Sequence, residues 1–421
     1  MKKKLALILC LVLAACLVAG CTYLPTVGLS SLYQAAQSAT STDTATASSD
    51  SDTVTISREQ YERYQQFDQL LTIMDIVAQD YYQEVDTATM IEGASAGLLD
   101  AIGDPYTFYY TPEAYAELWE DDEGEYAGIG IQISGNYLTG ICTVSRVFAN
   151  SPAEAAGVHK GDILYRVGED LYVTATNLDE AVSIMRGTPG TTVDVTFLRG
   201  EDQLTFTIER ATVNINRVES GMLDDQVGYI ILYEFSGDCA EKFTEAVAQL
   251  AEQGAKGLII DLRDNGGGWV QDATDIADIF LDAGVVCTAR YRDGYEYSYR
   301  TKDGKTDMAL VVLVNENSAS SSEILTGCLK DRADATVVGV TTYGKGIIQA
   351  VMQIDESGAG MQLTVAEYVT PNGNAIHKIG ITPDVEVTLD EGDNGMHEFG
   401  DLTDAQLKRA YEVMLEKLEK E

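Results

Sequence analysis

The chain has 421 residues, of which 45% are hydrophobic and 23% charged. This length favours two or three domains with hydrophobic cores, and the composition is typical of a globular protein rather than a disordered one. Acidic residues outnumber basic residues by 67 to 28, giving a net charge of −39. A surface of this charge repels phosphate backbones, which argues against nucleic acid as a partner.

The N-terminus has the pattern of a secretion signal. The basic start MKKK precedes the apolar stretch LALILCLVLAACLVAG, residues 5–20, which ends in small residues. We predict a signal peptide over residues 1–20, because an apolar run of 16 residues is short for a membrane-spanning helix. An uncleaved anchor helix is the alternative. Both interpretations place the rest of the chain outside the cytoplasm.

The signal ends in a lipidation pattern. VAGC, ending at Cys21, is similar to the bacterial lipoprotein box, in which the cysteine is lipidated after cleavage; Cys16, which ends LAAC, is a competing candidate. We expect a membrane-attached lipoprotein at the bacterial cell surface or in the periplasm. Residues 21–56 are rich in Ser, Thr, Ala and Asp, which predicts a flexible tether between the anchor and the folded body.

Residues 57–125 have helical periodicity. The segment QYERYQQFDQLLTIMDIVAQDYY places a set of apolar side chains on one helix face, namely Phe67, Leu70, Leu71, Met74 and Val77. The following segment, GDPYTFYYTPEAYAEL, predicts a turn and then another helix.

Residues 126–211 predict a compact β-rich module. Short β-branched runs alternate with Gly, Asn and Pro, and one short helix starts at SPAEAAG. The module closes with GTTVDVTFLRGEDQLTFTIER, which has the pattern of two hairpin strands.

Residues 212–392 form a third region, followed by a helical C-terminal tail over residues 393–421. From residue 227 strands and helices alternate, which is typical of a largely parallel sheet. Functional sites in such sheets lie beyond the carboxyl ends of the strands. The strands KGLIIDLR, MALVVLVN and ATVVGV are followed by DNGGGW, NSASSSE and TTYGKGIIQ, so these three loops are the candidates.

The serine-rich loop permits two interpretations. Ser320 and Glu323 form a capping box, which is a common structural device. A serine at a strand-to-helix turn is also held like a hydrolase nucleophile, beside backbone N–H groups suited to an oxyanion. None of the three histidines lies within forty residues of this loop. A lysine whose pKa is lowered by burial can act as the base, which favours Lys345, with His377 as the alternative.

The lysine loop also resembles part of a phosphate-binding P-loop. Gly339, Gly344 and Lys345 match that motif, but Gly346 stands where Ser or Thr is needed to bind magnesium. The following IIQAVMQI alternates like a strand, whereas a P-loop opens a helix. We therefore expect no nucleotide site.

The spacing of the cysteines predicts no metal site and leaves disulfide pairing open. Three of the seven lie in the signal region, and the others have no metal-ligand spacing: Cys142, Cys239, Cys287 and Cys328. We expect buried free thiols and no metal or cofactor.

Four motifs in order resemble the carboxyl-terminal processing (tail-specific) peptidases, which are secreted bacterial serine proteases with a PDZ domain. SASSSE corresponds to the family's SASASE, GKGIIQ to GKG-x-x-Q, and DLRDNGGG to DLR-x-N-P-G-G. TPNGNAIHKIGITPD corresponds to TP-x-G-x-x-I-H-x-x-G-I-x-PD. The resemblance covers about residues 60–390 and implies a crotonase-like protease core.

The resemblance also implies roles for individual residues. Ser320 would be the nucleophile, Lys345 the base 25 residues later, and Gln349 the residue that orients the lysine amine. The backbone N–H groups of Ser321 and Gly267 would bind the oxyanion, with the neighbouring Gly268 as the alternative donor.

Two positions depart from the family pattern. Gly266 stands where the family usually has proline, which leaves the glycine loop less rigid and the choice of donor open. Ser321 replaces the usual alanine, which matters little for a backbone donor.

The β-rich module resembles the family's PDZ domain. YAGIGI matches its carboxylate loop, where the backbone amides of Ala127, Gly128, Ile129 and Gly130 would hold a chain terminus while the peptide adds as a strand. NSPAEAAGVHKGD supports this assignment. Arg186, in MRGTPG, would couple peptide binding to the protease body.

The expected protein is a multidomain α+β/α/β protease with an N-terminal helical region, a PDZ domain and an α/β core. It would be a lipid-anchored serine endopeptidase that selects proteins by their C-terminal tails, and its N-terminal helices could form a homodimer interface. The alternative is a catalytically silent PDZ scaffold that binds protein C-termini. The complete Ser, Lys and Gln set argues against the scaffold, which has no need of a lysine beside a serine.

Overall fold

The structure is a computed structural model that describes residues 55–135, 139–302, 304, 306–389 and 397–420. The predicted signal peptide, Cys21 and almost all of the predicted tether lie outside these residues. The chain divides into two compact units, the first ending at Gly93 and the second beginning at Ala94. In the described ranges, no helix has the length and apolar character needed to cross a bilayer.

The first unit is helical. Its elements are α1 (Arg58–Gln65), α2 (Asp68–Asp80) and the start of α3 (Thr87–Asp100), which continues into the second unit. A capping box begins α1: Ser57 Oγ accepts from the Gln60 N–H at 3.1 Å, and Gln60 Oε1 accepts from the Ser57 N–H at 2.9 Å. The predicted apolar face runs along α2, but α2 has no buried residue in the described chain. That face is therefore largely exposed to solvent.

The second unit contains the β-rich module and the sheets that follow it. Its first elements are β1 (Phe108–Tyr110), α4 (Pro112–Glu123), β2 (Glu125–Gly128), β3 (Ile131–Gly135), β4 (Cys142–Val147), α5 (Pro152–Ala156), β5 (Ile163–Val167), β6 (Leu171–Tyr172), α6 (Leu178–Met185), β7 (Thr192–Arg199), β8 (Asp202–Glu209) and β9 (Ala211–Asn214). The later elements are β10 (Val218–Met222), β11 (Val227–Leu232), α7 (Cys239–Glu252), β12 (Gly257–Asp261), α8 (Val270–Asp278), β13 (Gly284–Tyr291), β14 (Glu296–Thr301), β15 (Ala309–Val314), α9 (Ser321–Arg332), β16 (Thr336–Gly339), β17 (Ile347–Gln353), β18 (Gly360–Val369), β19 (Val385–Glu386) and α10 (Ala405–Leu418).

The β-rich module is built on a sheet of order β3-β4-β5-β7-β8, with β6 paired to β5. The predicted closing hairpin is present, because β7 and β8 pair antiparallel down to Arg199 opposite Asp202. Helices α5 and α6 cover the core of this sheet with Ala153, Ala181 and Met185. Strand β3 lies at the edge of the sheet, and β2 pairs separately with β9.

The central sheet of the second unit has the order β10-β11-β12-β15-β16-β19. Only β10 and β11 pair antiparallel, and the other four pairs are parallel. The central strands β11, β12 and β15 are almost entirely apolar because both faces of the sheet are covered. On β15, Leu310 and Val312 face the core shared with α7, α8 and α9, whereas Val311 and Leu313 face α10.

The C-terminal helix belongs to this core. Leu407 and Met414 of α10 pack in the cluster beneath the central sheet. The Asp404 cap of α10 accepts a hydrogen bond from Arg263 Nη1 at 2.6 Å, and Arg263 also pairs with Asp261 at 2.7 Å. These ion pairs fasten α10 to the end of β12.

The second sheet is antiparallel, with the order β1-β18-β13-β14 and β17 paired to β18. The sequence predicted no strand at Phe108–Tyr110, because three residues show no periodicity and the partner lies on β18, with Phe108 opposite Gln362. Strands β1 and β17 lie on opposite sides of β18, and the turn that precedes β1 reaches the lysine loop, where the Tyr106 ring lies 4.6 Å from Lys345 Nζ. The strand predicted from IIQAVMQI is present as β17, so the lysine loop opens a strand rather than a helix.

The four cysteines beyond the signal region are buried free thiols, as predicted: Cys142, Cys239, Cys287 and Cys328. Burial raises the pKa of the Cys328 thiol to about 12. Such a thiol stays protonated and unreactive near neutral pH.

Candidate active site

The candidate site lies at the carboxyl ends of three adjacent parallel strands. Strand β12 leads into the glycine loop (residues 264–269), β15 into the serine turn (residues 317–321), and β16 into the lysine loop (residues 341–346). Because β12, β15 and β16 are neighbours in the sheet, the three loops meet at one edge.

Ser320 occupies a strained turn between β15 and α9. Its backbone has φ 55° and ψ −115°, a region that residues other than glycine rarely adopt. The Ser320 N–H donates to Glu323 Oε2 at 3.0 Å, and its carbonyl accepts from Tyr368 Oη at 3.1 Å. Ser320 as a whole residue is 8% exposed. The surrounding bonds therefore hold this serine in a conformation that it would not adopt alone.

Glu323 joins the serine turn to the lysine loop. Its fully buried carboxylate accepts hydrogen bonds from the backbone N–H groups of Ser320 at 3.0 Å, Gly344 at 2.8 Å and Lys345 at 2.8 Å, and from Thr342 Oγ1 at 2.5 Å. Burial raises the pKa of Glu323, and these donors oppose the rise. The sequence indicated only the cap, because nothing in S-x-x-E shows that a second loop supplies three more donors.

Lys345 lies in an environment that disfavours its charge. Burial lowers the pKa of Lys345, while the negative charges of Asp104 and Glu323 oppose that change. Its Nζ lies 4.6 Å from the centroid of the Tyr106 ring. Ser320 and Lys345 line one cavity of about 720 Å³, although no hydrogen bond joins the two side chains in the described structure.

The glycine loop packs directly against the serine turn. A Cβ added at Gly267, where φ is +102°, would lie 2.8 Å from Ser320 Cβ and 2.9 Å from the Ser321 nitrogen. A Cβ at Gly268 would lie 2.0 Å from the Phe235 carbonyl oxygen. These two positions therefore require glycine, and Ser321 Oγ closes the contact with a 2.8 Å hydrogen bond to the Gly268 carbonyl.

One predicted oxyanion donor is already bonded. The Gly267 N–H donates to Asn265 Oδ1 at 2.9 Å, because the buried Asn265 amide needs partners and also donates to the Leu232 carbonyl at 2.7 Å. The N–H groups of Gly268 and Ser321 meet no acceptor within the described residues. The available donor pair in this structure is therefore Gly268 with Ser321.

Gln349 lines the same cavity but contacts another residue. Its Nε2 donates to Thr364 Oγ1 at 3.2 Å, and within the described ranges it forms no hydrogen bond with Lys345. The β17–β18 pairing is irregular between Ile348 and Gln349, which changes the direction of the strand at this point.

His377 is not part of the cavity wall that holds Ser320 and Lys345. Its backbone lies against Gly346, where an added Cβ would be 2.2 Å from the His377 nitrogen. Its Nδ1 is buried without a hydrogen-bond partner among the residues that the structure describes.

The cavity continues into a groove on the β-rich module. Ile131 and Ile133 of the edge strand β3 face Val182 and Met185 of α6 across this groove, and all four line the cavity that reaches Ser320. An exposed strand edge beside a helix is the geometry to which an extended peptide adds as a further strand.

The predicted carboxylate loop (residues 127–130) contributes Ile129 to the lining of the same cavity. Gly130 has φ +89°, and its added Cβ would lie 2.2 Å from Ser151 Cβ, so this position also requires glycine. The N–H groups of Ile129 and Gly130 have no acceptor in the described part of the chain. These two N–H groups are therefore available to an acceptor from a ligand.

The predicted coupling residue contacts an aromatic ring inside the module. The Arg186 guanidinium lies 5.1 Å from the centroid of the Tyr126 ring. A cross-domain contact that the sequence did not indicate comes from Arg146 of β4, whose guanidinium lies 3.5 Å from the ring of Tyr233, just after β11. Burial lowers the pKa of Arg146, whereas Tyr233 and Glu219 oppose this change.

Comparison with family models assigns three segments of the chain. Residues 25–114 match the N-terminal domain of the activating protease CtpB, residues 127–209 match the PDZ domain, and residues 226–387 match peptidase family S41. These ranges follow the same order as the helical region, the β-rich module and the central sheet.

Two proteins similar to this chain in sequence are both named as carboxyl-terminal processing proteases. The chain is 34% identical over 326 residues to the carboxy-terminal processing protease CtpA of Bacillus subtilis, covering 77% of this chain and 69% of that protein. It is 38% identical over 307 residues to a carboxyl-terminal-processing protease of Synechocystis, covering 71% of this chain and 70% of that protein. Among solved structures, the photosystem II D1 C-terminal processing protease is similar with a TM-score of 0.55 and 27% identity, covering 79% of this chain and 94% of that one.

Proposed function

The chain belongs to peptidase family S41, the carboxyl-terminal processing proteases with a PDZ domain, and we propose that it is a serine endopeptidase working through a Ser320–Lys345 dyad. One observation carries this proposal. The carboxylate of Glu323 binds the backbone of both residues, and both side chains line one cavity. We further infer a crotonase-like arrangement of the protease core, which the parallel pairing of β11, β12, β15 and β16 supports.

In the proposed reaction the neutral Lys345 amine accepts the proton of the Ser320 hydroxyl while Oγ attacks the scissile carbonyl carbon. Collapse of the tetrahedral intermediate breaks the C–N bond, and the lysine ammonium returns the proton to the leaving amine. Water then attacks the acyl-enzyme carbonyl and transfers a proton to Lys345; the ester C–O bond breaks, Ser320 Oγ takes this proton from Lys345, and the new C-terminus is released. Burial supports this role because it lowers the pKa of Lys345 and so increases the neutral fraction.

The oxyanion would be held by the Ser321 N–H and one glycine N–H. The Gly268 N–H is unbonded among the described residues, whereas the Gly267 N–H must first leave Asn265 Oδ1. Gln349 would orient the Lys345 amine after releasing Thr364. Hydrogen bonds between catalytic groups often reach their final geometry only when substrate binds.

Substrates would be proteins selected by their C-terminal tails. The carboxylate loop would hold the terminal carboxylate, and β3 would pair with the tail inside the groove. The isoleucines of β3 and the apolar side chains of α6 favour an apolar tail. Arg186 and Arg146 would connect the occupied groove with the protease body.

We place the protein outside the cytoplasm, attached to the bacterial membrane by a lipid on Cys21. The signal pattern of residues 1–20 supports this location. A homodimer through the N-terminal helices is part of the proposal, supported by exposed apolar side chains of α2 such as Leu70 and Leu71, which are 44% and 52% exposed.

Proteolysis of an unfolded reporter with a free apolar C-terminus tests this function. We expect cleavage by the wild-type protein, loss in Ser320→Ala and Lys345→Ala, and no loss in the control Lys408→Ala, which removes an exposed lysine of α10. Activity that survives Lys345→Ala would overturn the dyad and favour His377 as the base. Tail binding by a wild-type protein that cleaves nothing would favour the scaffold.

A further inference from the structure

Helix α4 connects the PDZ domain to the glycine loop of the proposed active site through Trp269. We propose that Trp119 and Asp122 of α4 are positioning residues that set the glycine loop and link it to the carboxylate loop. The inference rests on the proposed function, because it concerns the regulation of the same site.

The first contact is a stacked pair of indoles. The rings of Trp119 and Trp269 lie 5.7 Å apart between centroids, with an angle of 11° between their planes. They are the only two tryptophans of the chain. Stacked aromatic pairs contribute stabilising free energy beyond that of the surface area they bury. The stacking on Trp119 therefore favours one orientation of the Trp269 ring.

The second contact is a hydrogen bond to a carboxylate. Trp269 Nε1 donates to Asp122 Oδ1 at 2.7 Å, and the backbone N–H of Gly237 donates to the same oxygen at 3.0 Å. Hydrogen bonds to an ionised acceptor are stronger than neutral ones. Asp122 therefore fixes the Trp269 side chain against the loop that follows β11.

The backbone of Trp269 transmits this constraint to the glycines. The Trp269 N–H donates to the Phe235 carbonyl at 2.7 Å, and the Phe235 N–H donates to the Gly267 carbonyl at 3.0 Å. Trp269 directly follows Gly268, whose φ of 139° is accessible to glycine and costly for other residues. A change in the orientation of Trp269 thus alters the peptide that Gly268 presents to Ser320.

The same segment leads directly into the carboxylate loop. Only residues 123–126 separate Asp122 from Ala127, the first residue of that loop. The Ile215 N–H donates to the Gly124 carbonyl at 2.8 Å, and β2 is paired with β9. These hydrogen bonds fix the backbone between Asp122 and the carboxylate loop. A shift of the carboxylate loop on tail binding would therefore be passed to Asp122 and Trp119.

Activity of matched variants is the first test. On the tailed reporter, Asp122→Ala and Trp119→Leu are expected to lower kcat by about tenfold or more with little change in KM, because the oxyanion contact acts in the transition state. Asp122→Asn keeps an acceptor oxygen for the indole and is expected to retain kcat within about threefold. Glu117→Ala, at an exposed position of the same helix, is the control.

Spectroscopy provides a test that does not require cleavage. In the Ser320→Ala background, a peptide with a free apolar C-terminus is expected to change the near-UV circular dichroism and fluorescence of the tryptophan pair. The same peptide with an amidated C-terminus is expected not to change them. Trp119→Phe leaves Trp269 as the sole tryptophan, so its emission then reports the glycine loop directly.

The outcomes separate this inference from the proposed function. Cleavage by wild type that is unchanged in Asp122→Ala and Trp119→Leu would overturn the inference alone. Peptide binding seen by calorimetry without any tryptophan signal would overturn the link to the carboxylate loop. A wild-type protein that neither cleaves the reporter nor binds the peptide would overturn the proposed function and this inference together.

Discussion

The backbone N–H of Lys345 donates a 2.8 Å hydrogen bond to Glu323, a residue of the helix that starts at the proposed nucleophile. The position of the proposed base is thereby set by the element that positions the serine. Ser320 and Lys345 are 25 residues apart in the sequence, but the backbone N–H groups of both donate to the carboxylate of Glu323.

The first prediction concerns this carboxylate. Glu323→Gln places an amide NH₂ where one oxygen now accepts from buried donors, so at least one donor loses its acceptor. We expect activity to fall by about 100-fold and the free energy of unfolding by about 1–3 kcal/mol. Peptidase assays and urea denaturation measure the two effects. The control is Glu316→Gln, at an exposed position before the serine turn; equal behaviour of the two variants would contradict the assigned role.

The second prediction concerns the pH dependence of the base. The kcat/KM profile should rise with pH as Lys345 loses its proton, at a pH below the ordinary lysine pKa because burial lowers that pKa. Tyr106→Ala admits water, so the pKa of Lys345 and the acid limb should move to higher pH. The cation–π contact works in the opposite direction, but it is worth only about 0.5–1 kcal/mol.

Tyr106→Phe is the matched control for that experiment, since it keeps the ring 4.6 Å from the amine. Its acid limb is expected to stay in place. An acid limb that moves to lower pH in Tyr106→Ala would show that the ring, rather than burial, dominates the pKa of Lys345.

The third prediction compares two neighbouring glycines. Gly267→Ala introduces a Cβ 2.8 Å from both the Ala319 carbonyl oxygen and Ser320 Cβ, so we expect activity to fall by about 100-fold or more. Gly266→Ala meets no atom within 4 Å, and activity should stay within about threefold. Steady-state kinetics on the same reporter checks both. Similar losses in both variants would indicate that loop flexibility, rather than close approach, requires the glycines.

The fourth prediction concerns stability and pH. Burial raises the pKa of Asp272, on α8 just beyond the glycine loop, to about 6 from the ordinary value of 3.8. Between these values the folded chain holds a proton that the unfolded chain has lost, so folding becomes less favourable as pH rises. Asp272→Asn should therefore be more stable than wild type at pH 7, by about 1–2 kcal/mol after allowance for partial exposure.

This stability difference should disappear below about pH 4, where Asp272 is protonated in both states. Chemical denaturation from pH 4 to pH 7 measures it. Asp275→Asn, at an exposed position of the same helix, should differ from wild type by less than about 0.5 kcal/mol throughout. A constant difference for Asp272→Asn across this range would contradict the raised pKa.

The local sequence pattern was sufficient to predict the strands and loops that form the candidate site. The apolar runs ending at Asp261, Val314 and Gly339 predicted buried strands, and the residues after them marked the loops. Parallel pairing then brings those loops to one edge, so the candidates were identifiable before any contact was known.

Contacts between distant segments were not predictable in the same way. The Gly267 N–H bond to Asn265 Oδ1 spans only two residues, but the Asn265 side chain is held by its bond to the Leu232 carbonyl, 33 residues away, and the sequence does not indicate that partner. The stacking of Trp119 on Trp269 joins residues 150 positions apart, and β1 forms only against β18. Single-sequence periodicity carries no information about such pairings.

The continuous cavity from the carboxylate loop to Ser320 has a kinetic consequence. In the proposed reaction, a substrate held by its terminus would be cut while that terminus is still bound, so the C-terminal fragment would leave Ser320 and stay bound in the groove. Departure of this fragment, rather than bond cleavage, would then limit repeated turnover. Short peptides that end in a free apolar carboxylate would compete with the next substrate as product inhibitors.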